Sequence, residues 1–226
     1  MIHKHRKNDI SSENRDKFNH LEISHLNQEN IFITPIWSME IECDNENILD
    51  ECYDLERKYS NGVQKSNVGG WQSNVFDLKT IKKYETPTIQ DLAANIVDIT
   101  SDLIEDYAEH YKSTVDYRRD EIGWWININR GYSYNVYHTH PGCSMIAVYY
   151  AKVPEVVKSE NEEGQLILLR QDAMCYNPIF SNIQSMCESL INPKERYLYL
   201  MPSTIAHYVR AHTTEEERVS IAFNIG

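Results

Sequence analysis

Arg218-Val219-Ser220-Ile221-Ala222-Phe223-Asn224-Ile225 interleaves two kinds of side chain. Alternate residues of a strand project to opposite faces. Arg218, Ser220, Ala222 and Asn224 therefore share one face, and Val219, Ile221, Phe223 and Ile225 share the other. A surface strand alternates in the same way, with its polar side to water. Here the polar set pairs a guanidinium with a hydroxyl, and helical segments earlier in the chain need a sheet to cover. The apolar face is expected to pack beneath those helices and the polar face to line an interior cavity, as in a barrel that holds a ligand.

Upstream of this strand, short β-type runs separated by turns cover residues 124–130, 134–140, 145–153, 164–170, 196–201 and 204–210. Strands of this length at close intervals predict a sandwich or barrel over about 120–226. The segment before it has helical periodicity. Asp44 or Asn45 can cap a helix running to about Tyr59, with Ile48, Leu49, Cys52, Tyr53 and Leu55 on its apolar side and Asn61-Gly62 as its stop. A polar loop with Gly69-Gly70-Trp71-Gln72-Ser73 follows. Thr88 is expected to cap a second helix reaching about Lys112, its apolar stripe formed by Leu92, Ile96, Ile99, Leu103, Tyr107 and Tyr111. Residues 1–30 are polar and carry His3, His5, His20 and His25; they are expected to form a tail. Residues 31–226 then make a single domain that is mainly β with flanking helices: helical support over about 31–119, then the β core.

A net charge of −12 gives no basic footprint for nucleic acid or for an anionic membrane. No apolar run is long enough to span a bilayer, and no apolar stretch follows the basic Met1–Lys7 segment. The five cysteines (Cys43, Cys52, Cys143, Cys175, Cys187) are odd in number and scattered, the pattern of free thiols in a reducing compartment. A cytoplasmic location is the expectation. The oligomeric state is not set by the sequence, a homodimer being one option.

The chemistry gathers around His138-Thr139-His140 and His207. Two histidines two apart on a strand aim at one point, and a later strand can bring His207 to it. Three convergent nitrogens suit a divalent metal, and imidazole alone does not choose among iron, zinc, copper and nickel. Structural zinc usually closes with four ligands and favours thiolates, so an open enzymatic site is the better match. Arg218, with Ser220 on the same face, suits bidentate grip of a carboxylate. A dicarboxylate that chelates the metal at one end and reaches the arginine at the other would join the two halves. 2-Oxoglutarate has that shape.

Several stretches carry a family resemblance: Phe32-Ile33-Thr34-Pro35-Ile36-Trp37, Gly69-Gly70-Trp71-Gln72-Ser73, Trp125-Ile126-Asn127-Ile128-Asn129 and Tyr134-Asn135-Val136-Tyr137-His138-Thr139-His140-Pro141. Val148-Tyr149-Tyr150, Gly164-Gln165-Leu166, Met201-Pro202 leading to His207-Tyr208-Val209, and Arg218 through Asn224 continue the series. From about Ile31 onward the chain resembles the Fe(II)/2-oxoglutarate-dependent oxygenases of bacterial and marine-phage type. The resemblance implies a double-stranded β-helix (jelly-roll, cupin-like) core with Fe(II) held by His138, His140 and His207. It further implies that Arg218, Ser220 and Tyr150 hold the distal carboxylate of 2-oxoglutarate. Asn127, Asn129, Tyr134 and Asn224 are expected to line the pocket. The reaction implied is oxidation by O2, hydroxylation by default, of a small-molecule or amino-acid-like substrate, with release of succinate and CO2. One departure stands out: most such oxygenases have Asp or Glu two residues after the first histidine, where this chain has His140.

Competing readings attach to the same residues. Arg218 could pair on the surface with Glu215, Glu216 or Glu217. Trp71, Trp124 and Trp125 read as packing groups, and Cys143 as a small buried hydrophobe. His110 and His212 read as ordinary core or surface residues. A cupin that does not use 2-oxoglutarate also presents His-x-His, but it adds a Glu soon after, where this chain has Pro141-Gly142-Cys143. A non-catalytic jelly-roll binding module is the remaining alternative.

Overall fold

The change from helical to strand periodicity near residue 120 persists in three dimensions. The computed structural model describes residues 34–78, 85–110, 121–158, 162–170 and 187–226. The expected tail with its four histidines, Phe32-Ile33, Cys175, the side chain of His110 and the far end of the second helix lie outside the described residues. Pro35–Gly226 forms one compact unit.

Two helices precede the main strands. In α1 (Asn45–Lys58), Asp44 accepts the Asn47 backbone N–H at 3.2 Å as the N-cap. The second helix, α2 (Pro87–His110), begins before Thr88, so Thr88 is not its cap. Proline suits the first turn because its missing N–H would have no partner there. The free N–H groups of Thr88 and Ile89 are instead taken by the two carboxylate oxygens of Glu51, at 2.8 and 2.9 Å. A carboxylate on α1 thus caps α2, a long-range solution that local sequence does not disclose.

The strands are β1 (Trp37–Glu40), β2 (Asn67–Val68), β3 (Trp71–Gln72), β4 (Phe76–Asp77), β5 (Ile122–Asn129), β6 (Tyr134–His138), β7 (Met145–Lys152), β8 (Leu166–Leu169), β9 (Glu188–Ile191), β10 (Tyr197–Pro202), β11 (Ala206–Val209) and β12 (Arg218–Ile225). A short helix α3 (Glu155–Lys158) follows β7. Among the described residues one sheet runs β1-β10-β7-β12-β5-β3, with β4 also on β5, and the second runs β2-β6-β11-β8-β9. This is the double-stranded β-helix. Four of its strands, β1 to β4, fall within the span expected to be helical support. Three of those four have only two residues, too short for a period-2 pattern to register.

The alternation in β12 resolves as its chemistry requires. Val219, Ile221, Phe223 and Ile225 are fully buried in one cluster with Ile48, Cys52 and Leu55 of α1 and Ile89, Leu92 and Ile96 of α2. Burying each large apolar side chain of this kind stabilises the fold by about 1.5–3 kcal/mol, so this face fixes the strand's register. β12 pairs with β5 and β7 on its two sides, and its polar face turns to the interior between the sheets. Ile146, Tyr150, Leu166, Leu168 and Met201 form a second apolar cluster there. No described helix is long and apolar enough to cross a membrane.

Candidate metal centre and anion pocket

His138 ends β6 and pairs directly with His207 of β11, their ring centroids 4.3 Å apart. The ladder shifts register between these positions: His138 opposes His207, whereas Asn135 opposes Val209. Three residues of β6 thus span two of β11, a β-bulge. The extra residue lets Asn135 and His138 face the same cavity although they stand three positions apart. His140 lies just beyond β6, its backbone N–H donating to Ser203 O at 3.2 Å.

Each imidazole is oriented through Nδ1. His138 Nδ1 lies 2.7 Å from Val136 O, His207 Nδ1 2.9 Å from Ile205 O, and His140 Nδ1 2.8 Å from Asn224 Oδ1. All three acceptors are oxygens, so each Nδ1 carries the proton and each Nε2 presents a lone pair. His140 Nε2 and His207 Nε2 are 3.3 Å apart, and one ring nitrogen of each of the three histidines lies within 4.8 Å of the others. Nitrogens bound to one cation at about 2.0–2.2 Å stand roughly 3–3.6 Å apart, so the His140–His207 spacing fits a shared ion, with a nitrogen of His138 close by.

Burial disfavours the charged form of all three rings. It lowers the His138 pKa, and together with the neighbouring His138 it brings His207 down to about 3 and His140 to about 4. The triad is neutral at neutral pH, as ligation requires. Trp125 stacks on His140 at 5.6 Å and 16°.

The same cavity is lined by Arg218, Ser220, Tyr150 and Asn127. Asn127, Ser220 and Tyr150 are neighbours across β5, β12 and β7, one polar row on the inner face. Arg218 is 2% exposed, and among the described residues its side chain makes one hydrogen bond, from Nη1 to Gly164 O at 3.1 Å. Among the described residues no carboxylate pairs with it. Glu217 is turned to Lys152 at 2.7 Å and to Arg130 at 3.7 Å, so the surface ion pair considered for Arg218 does not form. An isolated buried cation is costly, and desolvation pushes the Arg218 pKa down, opposed by Tyr150. Burial lifts the Tyr150 hydroxyl to about 12 against the pull of Arg218, so it remains a donor. Among the described residues neither the Tyr150 nor the Ser220 hydroxyl has a hydrogen-bond partner. A desolvated guanidinium flanked by two hydroxyl donors has the chemistry that suits a carboxylate.

Three other expected pocket residues sit elsewhere. Tyr134 is 39% exposed, because it points away from the sheet interior beside Val68. Asn129 is fully buried behind the cavity, donating Nδ2–H to Asn135 Oδ1 at 3.5 Å. Asn224 stands behind His140 and borders a separate groove with Pro141, Gly142 and Cys143. Conversely, Trp125, Asn135 and Ser66 line the cavity without having been singled out as site residues. Trp125 was legible, since it shares strand parity with Asn127 while Trp124 and Ile126 take the apolar side. Asn135 and Ser66 were not, because only the bulge turns Asn135 inward.

A double-stranded β-helix places three imidazoles that could hold a metal ion beside a buried arginine that no carboxylate among the described residues pairs with. Residues 123–224, the β core, match the family described as "Putative 2OG-Fe(II) oxygenase". The β core is therefore similar to the 2-oxoglutarate-dependent non-heme iron oxygenases, a family whose cofactors are Fe(II) and 2-oxoglutarate, and its three histidines could hold a metal ion. No curated protein matches it in sequence.

Solved structures share the fold at low identity. A Pseudomonas putida prolyl-4-hydroxylase is 11% identical over 85% of this chain and 92% of its own, with a TM-score of 0.55. The α-ketoglutarate-dependent carbocyclase SnoK from nogalamycin biosynthesis is 9% identical over 84% and 78%, with a TM-score of 0.54. A Trichoplax adhaerens prolyl hydroxylase, solved with a hypoxia-inducible-factor peptide, is 13% identical over 84% and 82%, with a TM-score of 0.52.

Proposed function

We propose that this oxygenase hydroxylates a small-molecule or amino-acid-like substrate with release of succinate and CO2. Iron is held by His138, His140 and His207, and Arg218, Ser220 and Tyr150 grip the distal carboxylate of 2-oxoglutarate. The observation that carries this reading is Arg218: a buried guanidinium with no counter-ion among the described residues, in the cavity onto which the three histidines open.

Bound there, iron and 2-oxoglutarate would supply the activation of O2 that oxygenation of a substrate needs, with succinate and CO2 as the cosubstrate's products. The chain's own residues prepare that reaction. Nδ1 hydrogen bonds hold each Nε2 lone pair on the metal side. Arg218 supplies the charge that a carboxylate loses when it leaves water, and its planar fork sets that carboxylate's orientation. Ser220 and Tyr150 donate from the next residues across the sheet. Trp125 and the apolar wall of Ile146, Leu166 and Val209 narrow water access, which strengthens these charge-assisted bonds. The scattered cysteines support a cytoplasmic location, and a free small molecule is the substrate we propose.

Uncoupled conversion of 2-oxoglutarate to succinate tests this reading without knowledge of the substrate. Iron-loaded protein should release succinate under O2, and His207→Ala should release none. Absence of succinate from the wild type would remove the proposal.

A further inference from the structure

We propose that Asn224 is a positioning residue of the metal centre, the group that makes His140 a nitrogen ligand. This rests on the reading that His140 binds iron.

His138 and His207 each direct Nδ1 to a backbone carbonyl two residues earlier, Val136 O and Ile205 O. Those acceptors come with the local chain path. His140 is different: its Nδ1 acceptor is the Asn224 side chain, 84 residues away on β12. The ring also stacks on Trp125 at 5.6 Å and 16° and lies nearly parallel to His207, centroids 5.1 Å apart at 8°. Stacking fixes the plane of an imidazole but not its edge. A half-turn about the Cβ–Cγ bond keeps the plane while exchanging Nδ1 with Cδ2 and Nε2 with Cε1. The flipped ring would offer the metal a C–H. Among the described residues the hydrogen bond to Asn224 Oδ1 is the contact at Nδ1 that separates the two orientations, and it also places the proton on Nδ1, leaving the Nε2 lone pair free.

The placement has a second consequence. Asn224 lies on the same strand and the same alternating set as Arg218 and Ser220. β12 is paired along its whole length with β5, and from Val219 onward with β7. One rigid strand thereby carries the proposed cosubstrate anchor at its start and the orienting group for a metal ligand at its end.

The test compares Asn224→Leu, Asn224→Asp, His140→Ala and the His140→Ala/Asn224→Leu double variant. Affinity for Fe(II) is measured anaerobically by competition with a chelator, and the visible spectrum of the Co(II)-loaded protein is recorded. Asn224→Leu should weaken Fe(II) binding by about 10–100-fold, the usual effect of losing an outer-shell partner, with 2-oxoglutarate still binding the loaded protein. Asn224→Asp keeps an oxygen acceptor, so it should hold Fe(II) within a few-fold of wild type while shifting the Co(II) bands. In the His140→Ala background the leucine substitution should cost nothing further. An equal loss in both backgrounds, or unchanged Co(II) bands in Asn224→Asp, would overturn the positioning role. Wild-type Fe(II) affinity in His140→Ala would instead overturn the parent reading that His140 is a ligand. Should Asn224→Leu fail to fold, the aspartate spectrum decides the matter.

Discussion

Arg218 Nη1 donates to the carbonyl of Gly164 at 3.1 Å, tying the buried guanidinium to the turn before β8. That turn needs glycine. Gly164 has φ +62, and a Cβ added there would lie 2.5 Å from Val157 Cγ2. Gly164→Ala should therefore destabilise the protein by about 1–3 kcal/mol through overpacking and move the carbonyl that steadies Arg218. The expected result is a several-fold weaker response to 2-oxoglutarate with Fe(II) affinity unchanged. Thermal unfolding and metal competition read the two effects separately, and equal losses of both would show a general collapse of the site.

His138→Ala and His207→Ala should each abolish stoichiometric Fe(II) binding and leave far-ultraviolet circular dichroism intact. Both rings sit at the cavity wall, so truncation leaves the sheet ladder in place. Metal content after gel filtration under anaerobic conditions checks this. Retention of one equivalent of iron by either variant would mean that the triad is not the metal site.

Glu51 gives a control remote from the cavity. Its carboxylate accepts the Thr88 and Ile89 N–H groups at the start of α2. Glu51→Ala leaves those donors without their cap, a loss of about 1 kcal/mol for a typical cap, or about 2–4 °C in Tm for a chain of this size. Iron and 2-oxoglutarate binding should be unaffected. An unchanged Tm would show that water replaces the carboxylate at no cost.

The parts legible in the sequence were those whose pattern is local or periodic. The stripes of α1 and α2, the polar and apolar faces of β12 and the shared aim of His138 and His140 all follow from spacing. What escaped depends on pairing across the chain. The two-residue strands β2, β3 and β4 exist only because β5 and β6 offer edges to them. The bulge in β6, which brings Asn135 in beside His138, is a property of the β6–β11 register. Glu51 as the cap of α2 and Asn224 as the partner of His140 are contacts between distant segments. Spacing within either segment carries no trace of them.

The proposed role of Asn224 would also let a histidine stand where most such oxygenases have a carboxylate. A carboxylate offers either oxygen to a metal, whereas an imidazole must present one nitrogen. His140→Asp should therefore bind Fe(II) without needing Asn224: in that background, Asn224→Leu should change Fe(II) affinity by less than about threefold, well below the 10–100-fold typical of an orienting partner. Chelator competition on the single and double variants measures this, and a full loss in the double variant would contradict it.

Removing one partner of a desolvated charge-assisted contact costs about 2–5 kcal/mol, or roughly thirty- to several-thousand-fold in affinity. Arg218→Lys keeps the charge but loses the fork, so its recovery should be partial. The most direct measurement is anaerobic titration of the Fe(II)-loaded protein with 2-oxoglutarate, following the weak visible charge-transfer band of the chelate. Wild type should develop the band to saturation at one equivalent per chain, Arg218→Ala should bind Fe(II) normally yet need at least thirtyfold more 2-oxoglutarate, and no band in wild type, or an unshifted titration in Arg218→Ala, would contradict the account.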